Sequence, residues 1–118
     1  MTEKQLETKV KNFFVKNNIQ YVKIHGGNYQ INGLADLLVF HKFKTYAIEI
    51  KTDFAKSKPK IIQVLQAQKL KDDVICLFID YLNFNFVLKN IKENNTEVLK
   101  HYSKKQLSYW LSYWQKRS

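Results

Sequence analysis

The chain has 118 residues, 20 Lys and Arg against 10 Asp and Glu, a formal charge of +10 and 45% apolar residues. That length predicts one domain, and that apolar fraction can bury a core, which argues against wholesale disorder. The single cysteine, Cys76, excludes an internal disulfide framework and a multi-cysteine zinc site.

No apolar run approaches the ~20 residues that cross a bilayer. No apolar signal core follows Met1-Thr2-Glu3-Lys4-Gln5, so a cytoplasmic protein with no membrane partner is expected. The positive charge favours a polyanion, and nucleic acid is the commonest. Nearly all of that charge is lysine; Arg117 is the only arginine. Lysine acts as a point charge on phosphate, whereas arginine reads guanine edges, so backbone or shape recognition is expected.

Residues 2–18 read as an amphipathic helix, with Leu6, Val10, Phe13, Phe14 and Asn17 on one face and Thr2 as N-cap. Residues 20–25 are β-rich, and Gly26-Gly27-Asn28 is turn chemistry. After Gly33 comes an apolar run, residues 34–40, interrupted by Asp36. Such a run suits a strand buried on both faces. Lys42-Phe43-Lys44 connects it to a strand over 45–51, which ends in Glu49-Ile50-Lys51. A lysine-rich loop follows, then a helix from Pro59, in its first turn, to Leu70. Residues 74–79 form another buried strand, and 84–91 read as a further, alternating strand. Ser103 and Gln106 form a capping box for a last helix, with Leu107, Trp110, Leu111 and Trp114 as its apolar stripe. That stripe suits core or dimer packing; base stacking is the alternative. The expected order is α-β-β-β-α-β-β-α, an α/β fold with a mixed sheet flanked by helices, in one domain. Its core covers about 3–80, with a C-terminal strand and aromatic helix over 84–118.

The chemistry concentrates in Asp36 and Glu49-Ile50-Lys51, charged groups inside apolar strands. An unpaired buried carboxylate costs several kcal/mol, so such residues need a partner or a metal. A buried ion pair at a strand end is the alternative. Glu49 and Lys51 are two apart and share a strand face. Two carboxylates suit a hard dication such as Mg²⁺ or Mn²⁺, and the Ile50 carbonyl between the charged residues is a further oxygen donor. A lysine beside them can orient water or offset charge on a phosphate. The lysines of the loop, Lys56, Lys58 and Lys60, are candidates for the DNA backbone, with Lys42 and Lys44 as weaker ones. His25, His41 and His101 have no ligand spacing, and Cys76 reads as packing.

With Gly33-Leu34-Ala35-Asp36, Glu49-Ile50-Lys51 and Gln63 in order, the chain resembles the PD-(D/E)XK nucleases, and more narrowly the VRR-NUC branch. The resemblance spans about residues 3–80. Ala35 stands where that branch usually has a proline that shapes the backbone. The resemblance implies a restriction-endonuclease-like core. It also implies a catalytic set of Glu7, Asp36, Glu49, Lys51 and Gln63, with Glu7 joining Asp36, Glu49 and Ile50 at a Mg²⁺ or Mn²⁺. Glu3 competes with Glu7, and Gln66 and Gln68 share the helix of Gln63. The activity implied is a DNA endonuclease selective for branched DNA such as a Holliday junction, acting as a homodimer. Small size suggests a phage or mobile-element origin. The rival expectation is a non-catalytic nucleic-acid-binding or interaction module on the same fold, such as a phage-encoded inhibitor.

Overall fold

A computed structural model describes residues 1–24 and 35–117. The expectations for His25, Gly26-Gly27-Asn28, Gly33 and Leu34 fall outside these residues. The elements are α1 (Glu3–Lys16), β1 (Gln20–Lys23), β2 (Leu37–His41), β3 (Lys44–Ile50), α2 (Ile61–Leu70), β4 (Ile75–Ile79), α3 (Phe84–Lys92) and α4 (Thr96–Gln115).

Among the described residues the sheet has four strands in the order β1-β2-β3-β4. The first two pairings are antiparallel, and β3 pairs with β4 in parallel through the α2 crossover. The β2–β3 hairpin turns on two residues, Lys42 and Phe43, with φ of 51° and 67°. A two-residue loop with both φ positive matches the sheet's twist, although Asn-Gly is the usual choice there.

Alternation along β3 explains both layers. Tyr46, Ile48 and Ile50 pack with Leu6, Val10 and Phe14 of α1 and Val87, Leu88 and Ile91 of α3. Ala47 faces the other way, into a smaller cluster with Val64 and Ala67 of α2 and Leu107 and Trp110 of α4. Glu49 shares the Ala47 face, so it lies beneath α2. Thr2 caps α1 as expected, with Gln5 closing the capping box.

Two expectations fail in the C-terminal third. Residues 84–91 are helical, in α3, instead of a strand. Phe84, Val87, Leu88 and Ile91 follow the i, i+3, i+4, i+7 rule; the last three are buried, whereas Phe86 is exposed. The alternation of Phe84, Phe86 and Leu88 is real in the sequence but is not the face the core selects. The order is therefore α-β-β-β-α-β-α-α.

The last helix starts at Thr96, so Ser103 and Gln106 lie mid-helix instead of capping it. Both are buried against the outer edge of β4. Ser103 Oγ donates to the Cys76 carbonyl at 2.6 Å. Gln106 accepts from the Phe78 N–H at 2.9 Å and donates to the Phe78 carbonyl at 2.6 Å. An edge strand leaves backbone groups without partners, and these two side chains satisfy them while closing the edge to strand addition. Pro59 stands two residues ahead of α2 instead of inside its first turn, and its carbonyl accepts from Trp114 Nε1 at 3.0 Å. Among the described residues, no helix is long and apolar enough to cross a membrane.

Candidate active site

The charged groups meet where β3 leaves the sheet. Asp36 sits just ahead of β2, and its Oδ2 accepts the Ile50 N–H at 2.8 Å. The β2 ladder has ended there, so a side chain takes over the pairing. In an extended strand one residue's N–H and C=O point the same way. The Ile50 carbonyl therefore faces the side on which Asp36 lies.

Glu49 is 6% exposed and Lys51 8%. Lys51 Nζ stands 3.9 Å from Glu49 Oε1. Gln63 Nε2 donates to the same Oε1 at 2.8 Å, and Gln63 Oε1 accepts from the Lys60 N–H at 2.8 Å. The second bond fixes the first, because an oxygen must face the N–H at the start of α2 and the amide nitrogen is left for Glu49. Gln63 is thus the glutamine that reaches the carboxylate, while Gln66 lines a narrow cleft of about 20 Å³ beside Glu49. Such a cleft has room for about one water.

Burial pushes the Glu49 carboxyl up to about 8, and the nearby charge of Asp36 adds to the effect. Lys51 works the other way. A hydrogen bond between Asp36 and Glu49 further favours the protonated form of Glu49. Two carboxyl groups this close cannot both ionise cheaply without a cation.

On α1 the two candidates separate. Partial burial works against the charge of Glu7, but bonds from Lys23 and Lys11 outweigh it and hold Glu7 below the usual carboxylate range. Its two oxygens lie 2.6 Å from Lys23 Nζ and 2.9 Å from Lys11 Nζ. The α1 carboxylate whose charge bears on Glu49 is Glu3.

The lysines divide as well. Lys56, Lys58 and Lys60 follow β3 at the end where Asp36 and Glu49 meet. Lys58 Nζ is tethered to the Ala55 carbonyl at 3.0 Å. Lys42 and Lys44 lie at the opposite end of β3, about 17 Å from Glu49 at the usual rise per residue. His41 closes β2 at that far end. Cys76 is buried in the α2-side cluster, and burial pushes its thiol up to about 11, as an inert packing residue requires.

One carboxylate was not anticipated. Asp80 is 2% exposed and follows β4 as Lys51 follows β3. Its Oδ2 accepts from the Phe54 N–H at 3.1 Å, and its Oδ1 accepts from Leu82 at 3.0 Å and Asn83 at 3.2 Å. It ties the loop after Lys51 to the start of α3. The available signal was an aspartate closing an all-apolar run, three residues before an asparagine.

Among the described residues, no group of three or more His, Cys, Asp and Glu gathers in one place. The oxygen donors at the site are the carboxylates of Asp36 and Glu49 and the Ile50 carbonyl. Mg²⁺ commonly takes one or two carboxylates and keeps several waters, so this donor set fits it. Comparison with family models, curated proteins and solved structures finds no match.

Proposed function

We propose that the chain is a dication-dependent nuclease that hydrolyses phosphodiester bonds in DNA, with branched DNA as the preferred substrate. The observation that carries this reading is the pairing of a half-buried Asp36 with a buried Glu49, with buried Lys51 beside them. With both carboxyls ionised the pair outnumbers Lys51 by one charge, and a dication would offset that excess and favour the ionised form of Glu49. Asp36, Glu49 and the Ile50 carbonyl would hold Mg²⁺ or Mn²⁺. When bound, such an ion polarises a phosphoryl oxygen and lowers the pKa of its water.

The chain's own residues supply the rest. Lys51 provides a fixed positive charge for the developing charge on phosphate. Gln63 holds Glu49 in one orientation. Asp80 is a positioning residue for the segment that carries Lys51. Lys56, Lys58 and Lys60, beside the start of α2, supply backbone attraction, and the positive end of that helix adds to it.

The test is cleavage of labelled four-way-junction, flap, single-stranded and linear duplex DNA. Wild-type protein is run with Mg²⁺ or Mn²⁺ and with EDTA. Metal-dependent cutting, greater on the branched substrates, junction and flap, than on linear duplex, is the expected result. Binding without cutting in either metal would overturn the reading and leave a nucleic-acid-binding module.

A further inference from the structure

We infer that the groove between the loop after β3 and the middle of α4 holds an unpaired nucleic-acid strand beside the carboxylate pair. The inference rests on the nuclease reading for its purpose. The groove is about 580 Å³ in volume and is lined by Phe54, Lys58, Tyr102, Lys105, Tyr109 and Trp110, among others. None of its lining residues is acidic.

Its position follows from how α4 lies on the sheet. Ser103 meets Cys76, Gln106 meets Phe78, and Trp110 packs on Phe54 at 5.5 Å between ring centroids. The helix therefore runs along β4 in the strand direction. Its later turns reach the end of the sheet where Asp36 and Glu49 meet. Phe54 is three residues beyond Lys51.

The rings form a supported platform. Tyr109 meets Trp110 edge-on at 4.8 Å, yet remains 64% exposed. Trp110 is 4% exposed, so it fixes Tyr109 from beneath. Tyr102 is anchored through its hydroxyl, which accepts from Asn83 Nδ2 at 2.8 Å. A rigid, exposed ring beside lysines suits a base stacked on the ring with its phosphates on the ammonium groups. A base inside a duplex cannot offer its face, which selects an unpaired strand. The lysines give attraction to the backbone without base reading.

Binding of labelled oligo-dT, and of a blunt hairpin duplex of equal nucleotide count, is measured by fluorescence anisotropy in EDTA. Chelation stops cutting and isolates binding. Tyr109→Ala is expected to weaken oligo-dT binding about 5- to 100-fold, and Tyr109→Phe to restore it. Lys105→Ala is expected to lower the salt slope by about 0.7. The exposure of Tyr109 keeps its substitutions from disturbing the fold, which a thermal melt checks. Unchanged oligo-dT affinity in Tyr109→Ala, tighter binding of the duplex, or equal competition by polyglutamate overturns the groove. A protein that binds oligo-dT through Tyr109 but cuts nothing with Mn²⁺ keeps the groove and overturns the nuclease.

Discussion

Asp36→Asn and Lys51→Met are each expected to slow single-turnover cleavage of a junction by about 10²–10³-fold or more. The thermal midpoint is expected to move little by comparison. The two substitutions suit the geometry. Asparagine keeps an oxygen to accept the Ile50 N–H, which Asp36 now accepts at 2.8 Å. Methionine keeps most of the volume of a side chain that is only 8% exposed. Each variant therefore removes charge and spares packing. Lys51→Arg is expected to be nearly as damaging, because a planar fork does not replace a compact ammonium in a closed site. Rates within about threefold of wild type in both variants would remove the charges from the chemistry. A collapse of the fold in both, read by circular dichroism, would assign the charges a structural role.

The second large effect is on stability. The Glu49 carboxyl is pushed up to about 8 from an ordinary 4.5, first by burial and then by Asp36. Between those values the folded protein holds a proton that the unfolded chain releases. Without a dication, stability from this group is therefore complete below about pH 4.5 and is lost as pH rises through 8. Glu49→Gln stays neutral and can still accept from Gln63. It is expected to exceed the wild type in stability at pH 9 by on the order of 3 kcal/mol, with the gap closing towards pH 5. Mn²⁺ acts in the opposite sense, because it binds the ionised carboxylates. At about 100 times its dissociation constant it is expected to stabilise the wild type by about 2.7 kcal/mol. At one fixed Mn²⁺ concentration that gain is larger at pH 8 than at pH 6 and is largely lost in Glu49→Gln. Urea melts across pH, with Mn²⁺ or EDTA, read all three effects. A wild type whose stability stays level from pH 5 to 9 would show that Glu49 titrates as an ordinary carboxylate.

Much of the first two-thirds of the chain was legible because periodicity and burial agree there, although β2, expected to be buried on both faces, leaves Phe40 exposed and Leu38 half-buried. The run over 45–51 alternates between two cores, so the shared face of Glu49 and Lys51 followed from spacing alone. The C-terminal third misled for a physical reason. Phe84, Phe86 and Leu88 satisfy a strand pattern, and Phe84, Val87, Leu88 and Ile91 satisfy a helix pattern. Packing against α1 and α4 selects between them. Ser103 and Gln106 misled in the same way. Their spacing is that of a capping box, but their partners are backbone groups of β4, far away in sequence. The choice between Glu3 and Glu7 was equally beyond the sequence. They share a face of α1, and Lys11 together with the distant Lys23 decides which of them is engaged elsewhere.

The most direct measurement on the Asp36–Glu49 pair is a calorimetric titration of Mn²⁺ into wild type and Asp36→Asn at pH 8. The account predicts saturable binding by the wild type, weakening steeply toward pH 6, and its loss in the variant. No saturable binding by the wild type, or the same affinity in Asp36→Asn, would contradict a cation site at this pair.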